Sequence, residues 1–476
     1  MPDSELKSNS FPQQEIDNDS AIKKTEIKDK KILQNQQICC ILESTKTQVS
    51  PTKTEVLQMT NYNTLAHNLK RGIFTFCEKL TTDFNRPTQK FIFAMIYGLI
   101  ASKSSHLSKI ARKLNETIAL DKTVERLSRN LMNFDKADAL HENYLNVVRK
   151  NFDEKTVLIV DDSDINKECS SKLESLCKVR DGSTGKIVTG YAYAGVTALT
   201  ANHKQPIPIY GHVYSNTEEG HKSQNHETIK SLKFLSAHFS KENIRTFDRG
   251  YDGGFLFDYL IEKKEKFIVR TTGKRHCIYK GKSISITELS KKFKGKYSLK
   301  FEPKSGKNKN CKISITPIKL PQYPNDDLNL VVCRGFGAEP LMLITNLMSN
   351  DDRLCVTISK VYLMRWRIEE FYRFKKQEFG FENFLVRSLK SIRNLDLLLN
   401  IAIGYIGILG DKSDESIQVM EIVQAAKRLY GLAQFTFYAI SDGLAEIFSK
   451  TYVGIQSFFP RRHNTKFGQL RLFTCE

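Results

Sequence analysis

Tyr362-Leu363-Met364-Arg365-Trp366-Arg367-Ile368-Glu369-Glu370-Phe371, running on to Lys376, is the stretch from which the rest of the chain can be read. A helix turns by about 100° per residue, so Tyr362, Arg365, Glu369 and Lys376 fall within roughly 60° of one another. They form one polar stripe: a phenol, a guanidinium, a carboxylate and an ammonium. A carboxylate flanked by phosphate-binding cations is what metal-dependent cleavage of a nucleic-acid backbone requires. The plainer reading is a solvated face with an Arg–Glu pair at i,i+4, which stabilises a helix only weakly. Trp366, the only tryptophan in the chain, is expected to pack beneath this helix.

Two further carboxylate sites lie upstream. Val157-Leu158-Ile159-Val160 is a short apolar run of the kind that forms a buried strand, and it empties into Asp161-Asp162-Ser163-Asp164. Asn243-Ile244-Arg245-Thr246-Phe247 reads as another strand, ending at Asp248-Arg249-Gly250-Tyr251-Asp252. Carboxylates at strand ends are held by a rigid sheet, which suits metal ligation. If the first strand continues, Asp161 and Ser163 face one way and Asp162 and Asp164 the other; alternation alone leaves the choice open. Helix capping or turn formation accounts for one such aspartate, but not for an ordered Asp, Asp, Glu set.

The spacing Tyr-x2-Arg-x3-Glu-x6-Lys resembles the signature of the insertion sequence four family of bacterial cut-and-paste transposases, and Asp248-Arg249-Gly250-Tyr251-Asp252 resembles that family's second-aspartate motif. The resemblance implies that Asp161, Asp248 and Glu369 are catalytic metal ligands. Family members tend to show Asp-x-Thr or Asp-x-Ser at the first strand end, so aligning on Ser163 favours Asp161, with Asp162 as the alternative. Hard carboxylate oxygens without nearby Cys or His select Mg²⁺ or Mn²⁺, and two ions about 3.5–4 Å apart suit an in-line displacement. By the same resemblance, water frees a 3′-hydroxyl at the transposon end, which then attacks target DNA. Residues matching Tyr362, Arg365 and Lys376 hold phosphates near the cut. Arg270, Lys274 and Arg275, which follow the strand Lys266-Phe267-Ile268-Val269, match basic residues that contact DNA in relatives. The expected fold is α/β: a ribonuclease-H-like catalytic core interrupted by a β-strand insertion, flanked by N- and C-terminal helical regions. The expected partners are double-stranded DNA, both terminal inverted repeats and target, with a homodimer bridging two ends.

Composition agrees with a DNA partner. The 476 residues carry a net charge of +20, with a pI near 9.3, which predicts phosphate binding and salt dependence; a Lys-rich coding bias would give the same sign. Between Gly273 and Pro321 lysines dominate, with Glu288 and Glu302 the only acids. Ile284, Ile286, Tyr297, Leu299, Phe301, Ile313 and Ile315 alternate there with polar residues, as short antiparallel strands do. The expected organisation is a disordered polar tail over 1–55, a helical region over 56–150, the catalytic core over 151–385 with its basic β insertion at about 271–335, and a helical region over 386–476. The resemblance implies that 56–150 is a transposon-end DNA-binding domain, through Leu107–Leu114 and Thr123–Arg129, with a plain helical scaffold as the alternative.

The apolar run Leu395 to Leu409 is interrupted by Asp396 and Asn400 and is shorter than the roughly 20 residues that span a bilayer, so a buried helix and no membrane partner are expected. Ten scattered cysteines without a Cys-x2-Cys pair, and an N-terminus without secretory character, point to a cytoplasmic, nucleoid-associated protein. His221 and His226 are expected at the surface. No Gly-x4-Gly-Lys-Ser/Thr loop occurs, so ATP is not expected. Two rival functions are a catalytically silent, transposase-derived DNA-binding protein and a related metal-dependent nuclease without strand transfer.

Overall fold

Apolar residues three or four apart along helix α1 (Tyr62–Leu80) turn Leu65, Leu69, Ile73, Phe76 and Leu80 into the core, as their spacing predicts. Helix α2 (Arg86–Ser102) starts where the Asn85 side chain accepts the Thr88 N–H and a proline occupies the first turn. Phe91 through Ala101 are buried all round that helix, so it lies inside the helical layer rather than on it. Helices α3 (Leu107–Leu114), α4 (Leu120–Asn133) and α5 (Ala137–Val148) follow. The computed structural model describes residues 62–459 apart from 171, 183, 203–204, 302–308, 352, 413–415, 429–434 and 452–453. The polar segment 1–55 lies outside the described residues.

Strand β1 (Val157–Asn166) is longer than its apolar run. Val157 and Ile159 join the core on one face of the sheet, and Leu158 and Val160 the core on the other. Next come β2 (Cys177–Arg180), β3 (Ile187–Leu199), β4 (Pro206–Tyr214), α6 (Gln224–His238), β5 (Ile244–Phe247), α7 (Gly254–Glu262) and β6 (Phe267–Arg270). β1 pairs antiparallel to β3 from Leu158 to Asn166, but parallel to β5 only from Val157 to Val160. Asp161 is therefore the first residue past the parallel ladder, and Asp248 the first past β5. Neighbouring strands run about 4.8 Å apart, so the ladder itself sets these two carboxylates side by side.

The basic segment forms β7 (His276–Tyr279), β8 (Lys282–Ser285), β9 (Tyr297–Phe301) and the long hairpin β10 (Lys309–Leu320) and β11 (Tyr323–Arg334). One expectation fails here: Ile286 does not continue a strand but opens the short helix α8 (Ile286–Lys291), because the Ser285 hydroxyl accepts the Glu288 N–H and caps it. β11 pairs with β12 (Leu341–Thr345), which pairs with β6. The hairpin therefore extends the central sheet, in the order β2-β3-β1-β5-β6-β12-β11-β10-β7-β8.

After β12 come α9 (Leu354–Leu363), α10 (Trp366–Arg373) and a π-helical turn over Phe374–Glu378. Helix α11 (Leu389–Asp411) is 23 residues long and begins where the Ser388 hydroxyl accepts the Ser391 N–H. It is long and apolar enough to cross a membrane, yet 78% of its most apolar window is buried inside the fold, where it packs against β4, α2, α4 and α5. It is the core helix that its interrupting Asp396 and Asn400 suggested. Helices α12 (Ile417–Ala425) and α13 (Phe437–Ser449) complete the C-terminal side.

Candidate active site

The Tyr362–Lys376 stretch is not one regular helix. Hydrogen bonds of the i→i−3 kind, from Arg365 N to Tyr362 O and from Arg367 N to Met364 O, tighten the chain between α9 and α10. Beyond Arg373 the π turn widens it. Through the tight turn, Tyr362, Arg365 and Glu369 stay on the side facing β1 and β5. The Arg365 guanidinium, 5% exposed, donates from Nη1 to Asp161 Oδ2 at 2.9 Å and from Nη2 to Glu369 Oε1 at 2.6 Å. The Tyr362 hydroxyl donates to Asp248 Oδ1 at 3.2 Å, and Arg270 Nη1 stands 3.6 Å from the same oxygen. Three carboxylates from β1, the end of β5 and α10 thus surround one guanidinium.

The side chain of Asp161 faces this cluster while its neighbours face elsewhere, as strand alternation requires. Asp162 accepts from Gln224 Nε2 at 2.8 Å. Asp164 accepts from the Gly182 N–H at 3.1 Å and pairs with Lys376 at 3.3 Å. Asp161 is also fixed through its backbone: the Tyr372 hydroxyl donates to its carbonyl at 2.6 Å. That hydroxyl reaches the strand because position 195, opposite Asp161, is glycine; a Cβ there would stand 2.3 Å from it. Tyr372 meets Tyr193 edge to face with ring centroids 5.8 Å apart. Lys375, 2% exposed, donates to the Tyr193 hydroxyl at 2.8 Å and to Asn400 Oδ1 at 2.9 Å, and pairs with Asp396.

Several sequence-predicted positions go elsewhere. Lys376 does not join the carboxylate cluster; it pairs with Asp164 and Glu382, because it lies inside the π turn over Phe374–Glu378, where each residue advances less around the axis than in an α-helix. Arg275 is committed to the fold: its Nε pairs with Asp252 at 2.7 Å and its guanidinium lies over the Phe257 ring. Lys274 is exposed, away from the cluster's ion pairs. Trp366 is 42% exposed rather than packed beneath the helix. His221 and His226 are only partly exposed and flank the buried Glu227 at 3.7 and 3.8 Å. The buried network of Lys375, Asp396, Asn400 and Tyr193 had no signal in the sequence beyond the two polar residues inside an apolar run.

Burial, with the neighbouring charges of Asp248 and Glu369, pushes the Asp161 carboxyl up to about 7 against the pull of Arg365. Burial also raises Asp248, but Arg365, the Arg249 N–H and Arg270 outweigh it and hold that carboxyl below the usual range. Below the unfolded value of about 3.9, Asp161 is protonated whether the chain is folded or not. Between that value and about 7 the folded chain keeps a proton that the unfolded chain releases, so this group's contribution to stability falls as pH rises through that window. Thermal melting in chelator should show this decline, and Asp161→Asn, neutral throughout, should flatten it; an unchanged slope would contradict the assignment.

The donor set suits a hard divalent cation: carboxylate oxygens only, with no thiol or imidazole among their ion-pair partners. As the side chains stand, no three Asp, Glu, His or Cys among the described residues are gathered closely enough to hold an ion; the guanidinium holds the centre instead. The family model described as a transposase DDE domain matches residues 153–404, from just before β1 into α11. The chain belongs to the DDE transposase family. Members of this family generally use divalent metal ions, and the matched span contains Asp161, Asp248 and Glu369. Among solved structures, a piggyBac transposase synaptic complex with hairpin DNA, determined by cryo-EM, is similar over 79% of this chain and 73% of that one, at 9% sequence identity and a TM-score of 0.40. No curated protein matches this DDE-family chain.

Proposed function

We propose that this DDE-family chain is a cut-and-paste transposase that cleaves DNA at transposon ends and transfers the freed strand into target DNA. One observation carries the reading: Asp161, Asp248 and Glu369, in the chain order Asp, Asp, Glu, converge from three elements on Arg365. Those three carboxylates would hold Mg²⁺ or Mn²⁺, two ions in all, in the insertion sequence four manner. The bound ions would polarise the scissile phosphate and activate the attacking oxygen. Arg365 and Arg270, both paired with carboxylates of this cluster, hold a phosphate beside them, since guanidinium forks pair with phosphate as readily as with carboxylate. Tyr362 orients Asp248. Lys376 steadies the far face of β1 through Asp164.

Parallel β1, β5 and β6, with antiparallel β3 and β4 at one edge, support a ribonuclease-H-like core carrying a basic β insertion. The helices before β1 serve transposon-end recognition, the partner is duplex DNA at inverted repeats and target, and the working form is a homodimer in the cytoplasm, at the nucleoid. The test is nicking of DNA carrying the element's own flanking ends, with and without Mg²⁺. Metal-dependent nicking at the ends, followed by joining, is expected. Salt-sensitive binding without nicking would favour the silent DNA-binding protein, and nicking without joining the nuclease. In the same assay Asp161→Asn should be dead and Asp162→Asn merely impaired; the reverse order would overturn the choice of first ligand.

A further inference from the structure

Where α1, the end of α5 and the last turn of α11 meet, the surface holds a groove of about 430 Å³. Its rim carries Arg71 and Lys79 from α1, Lys150 just after α5 and Lys412 just past α11, and no acidic residue lines it. Among the described residues Lys79, Lys150 and Lys412 have no partner for their ammonium groups, and Arg71 meets only His67, at 3.4 Å. On the floor is Tyr405, 8% exposed, its ring held by Phe76 at 5.0 Å between centroids. The Tyr405 hydroxyl has no hydrogen-bond partner among the described residues. Position 72 above it is glycine; a Cβ there would stand 3.0 Å from that hydroxyl, so the missing side chain leaves it open.

The Tyr405 hydroxyl is thus an open, unpaired donor on the groove floor, and four cations without a counter-charge around it call for an anion. We propose that this groove binds a phosphodiester of duplex DNA, with the Tyr405 hydroxyl donating to a phosphate oxygen and the rim cations supplying the charge. The cations come from three elements, and Arg71 and Lys79 stand eight residues apart on α1, about 12 Å along its axis, which fits a strand better than a small anion. None of the residues lining the groove belongs to the cluster of Asp161, Asp248, Glu369 and Arg365, so this contact is separate from the one at the cut. The inference rests on the chain being a DNA-acting transposase.

Duplex binding by fluorescence anisotropy, in chelator and across a salt series, tests it without any need for activity. Lys79→Gln with Lys150→Gln should lower the magnitude of the salt slope by about 1.8, at about 0.9 per lost phosphate contact. Tyr405→Phe should weaken binding a few-fold with the slope unchanged. Lys233→Gln with Lys264→Gln, exposed positions outside the groove and the cleft, should match wild type. A slope equal to wild type in the Lys79/Lys150 variant would overturn the proposal. So would a thermal shift with inorganic phosphate that Tyr405→Phe abolishes while duplex binding is untouched, since that outcome assigns the groove to a small anion. Failure of wild-type nicking with this slope change intact would count against the catalytic reading alone.

Discussion

Glu369→Gln should abolish strand cleavage while leaving DNA binding within a few-fold of wild type. Glutamine keeps the size of the side chain and an Oε1 that can still accept from Arg365, now at 2.6 Å, so the packing of α10 has no reason to change. What it loses is the negative charge that a hard divalent cation needs. Outer partners of metal ligands typically cost about 10–100-fold when removed, and losing a ligand itself should exceed that. Nicking of end-bearing DNA measures the first half and anisotropy the second. Cleavage near the wild-type rate would sink the assignment of Glu369 as a ligand, and parallel loss of binding and cleavage would point to a folding defect.

Lys375→Met should be the most destabilising substitution near the site, at about 3–5 kcal/mol, the usual cost of leaving one member of a buried ion pair alone. Both partners are almost wholly buried: the side chains of Lys375 and Asp396 are 3% and 2% exposed. Losing the ammonium also takes a donor from the Tyr193 hydroxyl and from Asn400. Removing both charges, in Lys375→Met with Asp396→Leu, should recover most of the loss, because no uncompensated charge then remains. Thermal melting of the two variants checks this. Equal melting temperatures for wild type and Lys375→Met would show that the pair carries little of the fold's stability.

What the sequence disclosed divides along a physical line. The three carboxylates were legible because each sits at a position defined by local chain: two just past short apolar strands, one on an amphipathic helix. Their neighbourhood follows from strand pairing, and pairing follows from the apolar runs. The partners of those carboxylates were not legible. Arg365 reads as a phosphate contact on a helical wheel, and the wheel gives no sign that it also spans Asp161 and Glu369. Lys376 falls on the same ideal stripe, but a π turn, which no periodicity announces, carries it to Asp164. Ile286 fits a strand's alternation until the cap at Ser285 starts a helix. Arg275 stands beside Arg270 in the sequence, yet one faces the cleft and the other is tied to Asp252. In each case a tertiary hydrogen bond or a change of helical pitch overrode a pattern that extends only over a few residues.

The continuity of the sheet has a mechanical consequence. Between β6, which brings Arg270 to Asp248, and the lysine-bearing hairpin lie only two backbone ladders, β6 to β12 and β12 to β11. Swinging the hairpin relative to the cleft would break those hydrogen bonds, so it cannot flap. The hairpin is thereby held at one set distance from Asp248, and that distance is written in strand spacings of about 4.8 Å each.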